Sequence, residues 1–356
     1  MKEALFEKLQ QLASLPGAPG FEVPVLRELK ASLEPLADQI EVDSLGNIFA
    51  YKSGDQPGPR LMIAAHADQI GAVVKYIDRN GYLKFEKLGG ILDGLLVGRK
   101  VLVNGHLGVV GTKAGHYQTA EERTRIVPYE QLYIDMGASS REEVLAMGIN
   151  IGDPITYISP VERFSNSDRV CGGAIDNRLG CAVLLQVMEE LQGISFRGEV
   201  AAVITVQEEV GLRGATVASY RVNPDLMLAL DTIPAGGTPD VSPELINTEI
   251  GKGPIFALVT GRGGRGLITP LRLKELLVQV AEAEGQPYQL MVFPAGNNDA
   301  TAAHLVRAGI PSASVTLPRR YSHSPVEVAD LNDAVAAVKI LVGVVRGMAE
   351  HDLSFF

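Results

Sequence analysis

The chain has 356 residues, 46% of them hydrophobic, and a formal net charge of -10 at pH 7. This length and composition suffice for one large domain with a sizeable core and a second, smaller one. An acidic chain without a block of Lys and Arg argues against a nucleic-acid or anionic-membrane partner, because such partners bind clustered basic surfaces. Small molecules or peptides are the expected partners.

The two ends of the chain predict helices rather than targeting segments. The N-terminal stretch MKEALFEKLQQLASLPG carries charges throughout and lacks the continuous apolar core of a signal peptide. The stretch AVAAVKILVGVVRGMA is interrupted by Lys339 and Arg346 and is too short between charges to span a bilayer. Only two cysteines occur, Cys171 and Cys181, which suits a reducing compartment. We therefore expect a cytoplasmic protein that does not bind membranes.

Residues 1–68 and 168–356 alternate helical patterns with short apolar runs. The apolar runs are RLMIAAH, EVAAVITVQEE, DLMLALDT, YQLMVFPAG and SASVTLP. The helical patterns include RLGCAVLLQVMEELQ, PLRLKELLVQVAEAEG and DATAAHLVRAG. Runs that are apolar on both faces are typical of a sheet covered by helices. These two segments predict one α/β domain with a helix-covered, mostly parallel sheet.

Residues 70–166 have a different sequence pattern from the segments on either side. The pieces GYLKFEKLGG, RKVLVNGHLGVVGTKAG, LYIDMGA and GDPITYISP are short, β-like and punctuated by glycine. They predict a smaller β-rich domain inserted into the α/β domain.

Polar residues interrupt the apolar runs or follow them at their ends and in glycine-bounded turns. Six of them are candidates for chemistry: His66, Asp176, Glu208, Glu209, Asp231 and His323. Open α/β sheets gather their functional sites where strands end and loops begin. A carboxylate at the end of a buried strand is costly unless a positive charge meets it, and a divalent metal supplies that charge. Imidazoles and carboxylates are the ligands that zinc-like ions prefer, so the set predicts a pair of metal ions.

Each of these residues also has a purely structural interpretation. A lone histidine near a strand end is more often structural than a ligand, and Asp176 could hydrogen-bond its own backbone in a turn. Glu208 and Glu209 could be exposed acids at a strand end. The apolar flanks of the glutamates, AAVITVQ and VG, disfavour exposure, and the combination of all six residues favours a metal site.

The order of motifs resembles the tetrahedral aminopeptidases, a family of dinuclear metallo-aminopeptidases often named glutamyl aminopeptidases and sometimes endoglucanases. The resemblance covers nearly the full chain and rests on AAHADQIG, AIDNRLG, QEEVGLRGA, ALDT, GNNDATAAH and RRYSHSPVE. It implies the zinc-peptidase type of α/β fold, two Zn or Co ions per subunit, and peptide substrates. It also implies a dodecameric shell built from dimers, with the inserted domain helping assembly.

The resemblance also implies a role for each residue. His66, Asp176 and Asp231 would hold the first ion, and Asp176 would bridge to a second ion held by Glu209 and His323. Glu208 would be the general base, since a carboxylate next to a ligand can reach the attacking water without being tied to the metal.

Four further positions bear on the resemblance. Asp68 would accept the other ring proton of His66 and fix its tautomer. Asp299 would contact substrate. Asn177 and Asn298 depart from the family pattern, in which aspartate and threonine are common.

The same metals could serve a deacylase or carboxypeptidase-type amidohydrolase acting on N-acyl amino acids. A glycosidase is a more remote alternative, because paired carboxylates give no reason for the two histidines and Asp231. The sequence therefore predicts an aminopeptidase. It does not decide which free end of the substrate the site recognises, which is the feature that separates an aminopeptidase from a deacylase or carboxypeptidase.

Overall fold

The computed structural model describes residues 1–353 and contains eight α-helices and seventeen β-strands in that range. The helices are α1 (Lys2–Ala13), α2 (Val23–Leu33), α3 (Arg141–Ala146), α4 (Ile175–Glu190), α5 (Arg213–Val222), α6 (Leu271–Ala283), α7 (Asp299–Ala303) and α8 (Leu331–Gly347).

The strands are β1 (Gln39–Val42), β2 (Ile48–Ser53), β3 (Gln56–His66), β4 (Gly71–Ile77), β5 (Leu83–Leu88), β6 (Lys100–Val103), β7 (His106–Gly111), β8 (Tyr133–Asp135), β9 (Pro154–Tyr157), β10 (Glu162–Arg163), β11 (Arg169–Gly172), β12 (Arg197–Thr205), β13 (Leu226–Pro234), β14 (Ile255–Thr260), β15 (Gln289–Phe293), β16 (Ser312–Arg320) and β17 (Glu327–Asp330).

Eleven strands form one large sheet whose central strands are parallel. Its order is β1-β2-β12-β3-β13-β16-β17-β11-β10, and β14 pairs with both β15 and β16. The neighbours β12, β3, β13 and β16 run parallel, whereas β2, β14 and β17 join this group antiparallel. The carboxyl ends of four parallel strands therefore meet at one edge of the sheet.

Helices cover both faces of this sheet, as the alternation in β3 illustrates. Leu61, Ile63 and Ala65 belong to the core formed with α1, α4 and α8. Met62 and Ala64 point the other way, into a smaller core that includes residues of α5 and α7. Successive side chains of a strand alternate between faces, so a run buried on both sides has to be apolar at every position.

The segment between β3 and β10 folds separately. Strands β4, β5, β8, β7, β6 and β9 close into an antiparallel barrel. The barrel has its own apolar core, which includes Phe85, Val103 and Ile134. Glu162–Arg163 lies within residues 70–166 but pairs with β11 in the large sheet.

The predicted fold class, a helix-covered α/β sheet with a smaller β-rich unit, is confirmed. The helix predicted over DATAAHLVRAG is shorter than expected: α7 ends at Ala303, and Arg307 has a positive φ of 56°. A left-handed residue cannot continue a right-handed helix. No helix among the described residues is long and apolar enough to cross a membrane.

Candidate metal centre

The candidate residues come together at the carboxyl edge of the parallel strands. His66 is the last residue of β3 and pairs in register with Thr205, the last residue of β12. Glu208 follows three residues after β12, and Asp231 lies near the end of β13. The parallel register therefore brings residues far apart in sequence to the same height.

The turn after β12 presents two adjacent glutamates on the same side. Gln207 has a positive φ of 55°, which takes the chain out of strand geometry. The carboxylate of Asp68 then accepts hydrogen bonds from the backbone N–H groups of Glu208 and Glu209, both at 3.0 Å. The carboxylate of Glu22 accepts the N–H of Gln207 at 3.1 Å. Two buried carboxylates thus fix the backbone that carries Glu208 and Glu209.

The ring of His66 lies nearer to the backbone of Asp68 than to the carboxylate that was predicted to accept its proton. The ring Nδ1 lies 3.1 Å from the backbone carbonyl oxygen of Asp68 but 3.5 Å from its carboxylate. A carbonyl oxygen only accepts, so Nδ1 carries the proton and Nε2 is left free to face the site. The carboxylate is occupied instead by the two glutamate N–H groups.

His323 is oriented in the same way, by a glycine of the barrel unit that lies between β5 and β6. Its Nδ1 donates to the carbonyl oxygen of Gly90 at 3.2 Å. A Cβ at Gly90 would lie 2.6 Å from that nitrogen, so a side chain there would push the ring away. The Nε2 of His323 lies 3.5 Å from Asp176 and 3.6 Å from Glu209.

The six side chains form two adjoining groups that could each hold an ion. In one group are His66, Glu208 and Asp231, and in the other are Asp176, Glu209 and His323; within each group the ligand atoms lie within 4.8 Å of one another. Asp176 connects them, because its Oδ1 lies 3.2 Å from Nε2 of His66 while its Oδ2 faces His323.

Burial and neighbouring charges perturb these groups strongly. Burial raises the pKa of Glu208 well above its usual value, and burial together with the charge of Asp176 raises the pKa of Glu209 to about 8. The hydrogen bond to Asp176 raises the pKa of His323 to about 9. Burial opposes the charge of Asp176, but Arg319 and the two histidines hold its pKa well below the usual range. So many buried acids in one place call for added positive charge.

The residues fit a pair of divalent ions. The Oε1 atom of Glu209 is buried and has no hydrogen-bond partner, and Glu209 is one of the residues clustered with Asp176 and His323. A buried carboxylate oxygen without a partner is costly unless it serves as a ligand. Imidazole nitrogens with carboxylate oxygens are a donor set for zinc and similar metals.

The centre lies in the wall of a cavity of about 520 Å³. The other residues that line it are largely neutral and include Ile233, Ala257, Thr260 and Phe293. Asp299, predicted to contact substrate, is buried and is not among the residues that line the cavity; its carboxylate accepts the hydroxyl of Thr205.

The two asparagines that depart from the family pattern have defined structural partners. Asn177 is fully buried, donates to the carbonyl oxygen of Leu230 and accepts the N–H of Gly180. Asn298 accepts the N–H of Ala300 at the start of α7 and also bonds the hydroxyl of Ser314. An amide can donate and accept at once, which an ionised carboxylate cannot.

Sequence analysis missed Arg319 and Glu327. Arg319 is 3% exposed and lies 2.6 Å from Asp176 and 3.0 Å from Glu327. Glu327 also accepts the backbone N–H groups of Asp176 and His323. Arg319 directly follows the apolar run SASVTLP, as the other site residues follow theirs, and that signal could have identified it.

Comparison with known proteins identifies the family of this chain. A profile described as M42 glutamyl aminopeptidase matches residues 46–340. The chain belongs to the M42 family. It is therefore an aminopeptidase, a peptide hydrolase, and the resemblance drawn from its motifs is confirmed.

Relatives match this M42 chain over nearly its whole length. The lysyl aminopeptidase of Pyrococcus furiosus is 30% identical and covers 98% of this chain and 99% of its own. The solved aminopeptidase of the archaeon Desulfurococcus kamchatkensis is 34% identical, with a TM-score of 0.92 over 97% of this chain and 95% of its own. The TET1 peptidase of Pyrococcus horikoshii, which can assemble into a tetrahedron or a large octahedral shell, is 30% identical, with a TM-score of 0.86 over 96% of this chain and 99% of its own.

Proposed function

We propose that this M42 chain is a two-metal aminopeptidase that removes N-terminal residues from short peptides. The observation that carries the proposal is the convergence of two imidazoles and four carboxylates on one sheet edge, beside a cavity. Membership of an aminopeptidase family supports the reaction, and the ligand types support Zn or Co.

The proposed ligands divide between two ions. His66 and Asp231 would hold one ion, Glu209 and His323 the other, and Asp176 would bridge them through its two oxygens. Bound ions of this kind lower the pKa of water and stabilise the negative charge that develops on the scissile carbonyl oxygen.

Glu208 is the proposed general base. Its Oε2 atom lies 4.0 Å from Nε2 of His66, its side chain lines the cavity, and the Asp68 carboxylate holds its backbone in place. Burial raises its pKa, and a carboxylate with a raised pKa is a stronger proton acceptor than an exposed one. Glu208 would take the proton of the attacking water at Oε2 and pass it to the leaving amine.

The cavity walls favour an uncharged N-terminal side chain. Ile233, Ala257 and Phe293 supply apolar surface, and Arg319 has its charge engaged by Asp176 and Glu327. The Arg262 and Arg265 side chains, which could have favoured acidic substrates, are exposed and do not line this cavity. We therefore expect leucyl substrates to be cleaved faster than glutamyl or lysyl ones.

We also infer that residues 70–166 act in assembly. The barrel exposes apolar side chains, including Leu107 and Val109, and the TET1 peptidase forms shells. A dodecamer built from dimers is the proposed state, and light scattering at working concentration tests it. A monomer mass would refute it.

The function is tested with a panel of aminoacyl chromogenic substrates and protein reconstituted with Zn²⁺, Co²⁺ or Mn²⁺. We expect hydrolysis of free amino-terminal substrates, none of their N-acetylated counterparts, and none after chelation. Preference for the acetylated substrates would instead indicate a deacylase. Activity that persists in metal-free protein would refute the two-metal mechanism.

A further inference from the structure

Arg319 places a permanent positive charge inside the proposed metal centre. It lies near the end of β16, and its Nη2 atom is 2.6 Å from Oδ2 of Asp176. Arginine stays protonated in proteins, so this charge does not depend on pH in the working range. The inference below rests on the proposed two-metal function.

The contact affects only one side of the bridging carboxylate. Oδ1 of Asp176 lies 3.2 Å from Nε2 of His66, whereas Oδ2 lies 3.5 Å from Nε2 of His323. Arg319 bonds Oδ2. The guanidinium therefore competes for the oxygen that faces His323 and leaves the oxygen that faces His66 unchanged.

Glu327 holds Arg319 in that position. Its Oε1 atom accepts from Nη1 of Arg319 at 3.0 Å, and both side chains are almost fully buried. The same carboxylate accepts the backbone N–H groups of Asp176 and His323, at 2.9 and 3.0 Å. Swinging Arg319 out of the centre would leave Glu327 as a buried charge without its cation, which is strongly unfavourable.

We propose that Arg319 weakens binding of the ion held by Glu209 and His323 relative to the ion held by His66 and Asp231. A nearby positive charge repels a divalent cation, and it also occupies the carboxylate oxygen that the second ion needs. The two ions therefore bind in two steps, first on the His66 side and then on the His323 side. Arg319 is a positioning residue for Asp176 and sets the affinity of the second ion.

The test is a metal titration of the full-length protein after chelation. Co²⁺ binding is followed by visible absorbance, and bound metal is counted by elemental analysis. Wild type is compared with Arg319→Gln, which removes the charge but keeps a hydrogen-bonding group. Arg320→Gln is the matched control: Arg320 is the next residue of β16, and its Nη2 donates to the carbonyl oxygen of Gly237 rather than to a carboxylate of the centre.

We expect wild type to bind one ion tightly and a second more weakly. Arg319→Gln should tighten the second ion by about tenfold or more and change the first by less than about threefold. Arg320→Gln should leave both affinities within about threefold of wild type. Arg319→Lys, which keeps the charge, should keep the second ion weak. If Arg319→Gln does not fold, the double variant Arg319→Gln/Glu327→Gln, which removes both partners of the buried ion pair, is used in its place.

The outcomes separate this inference from the function on which it rests. Two equally tight ions in wild type, or a second ion bound no tighter in Arg319→Gln, would overturn the role of Arg319 and leave the two-metal function standing. A lysine variant that tightens the second ion as much as glutamine would overturn the argument from charge. If no variant binds a second ion, the two-metal function fails and the inference fails with it.

Discussion

The edge of the large sheet and the barrel differ in what they bury. The sheet edge buries His66, Asp176, Glu208 and Asp231, whereas among the buried residues of 71–157 only Thr156 is polar. Burying a charge costs free energy unless a partner compensates it, and burying an apolar side chain is favourable. The comparison indicates that the apolar core of the barrel stabilises the fold. The buried charged groups at the sheet edge lower the stability of the fold and provide the candidate site.

The largest expected effect comes from Glu208→Gln at the sheet edge. Removing the proton acceptor should lower turnover by on the order of 10²- to 10⁴-fold, while both metals stay bound. Steady-state kinetics and elemental analysis of the purified variant test this. The control is Glu199→Gln, on the same strand β12 but paired with Arg60 at the surface, which should retain turnover.

Glu209→Gln should act on metal content first. The substitution removes a charged ligand from the His323 side, so bound metal should fall from two ions toward one per chain while the His66 side stays filled. Elemental analysis after dialysis gives the count. A Glu208→Gln protein that loses metal beside a Glu209→Gln protein that keeps both ions would reverse the two assigned roles.

In the barrel, a core truncation should change stability without changing metal binding. Ile134 is 1% exposed, and Ile134→Ala should lower the free energy of unfolding of the barrel by about 3 kcal/mol. Urea unfolding and metal titration of the same sample measure both quantities. Lys100→Ala, at an exposed position of β6, should cost less than about 0.5 kcal/mol. Loss of metal in Ile134→Ala would show that the two regions are coupled.

The smallest effect concerns a buried acid remote from the metal ligands. Burial raises the pKa of Asp333 to about 7, although its carboxylate accepts the N–H groups of Gly251 and Gly253. The carboxyl of Asp333 therefore stays protonated up to about pH 7 in the folded state, but only up to about pH 4 in the unfolded chain. Its contribution to the free energy of unfolding is complete below about pH 4 and is lost as the pH rises to about 7.

The free energy of unfolding should therefore decrease less between pH 5 and 7.5 in Asp333→Asn than in wild type, with a difference on the order of 1 kcal/mol. Thermal unfolding at the two pH values measures the change. Asp55→Asn, an exposed control, should leave the slope as in wild type. An unchanged slope in Asp333→Asn would mean that other groups cause the dependence.

Much of the candidate site could be predicted because strand ends leave a local signature. His66 and Asp231 interrupt or end apolar runs, and the turn that carries Glu208 and Glu209 follows another. The carboxylate of Asp68 could not be placed in this way. Whether it bonds an imidazole or two backbone N–H groups depends on the path of the turn after β12, which approaches it from 140 residues away in the sequence.

The sequence by itself determined the α/β class, the β-rich insertion and the types of side chain at the centre, because apolar periodicity and residue chemistry are local properties. Only the tertiary structure decided which of these side chains meet. The parallel register of β12, β3 and β13 brings His66 level with the turn of Glu208, and the antiparallel return of β17 brings Glu327 against Arg319. Such contacts depend on strand order and register, which arise from packing across the whole sheet rather than from any one segment.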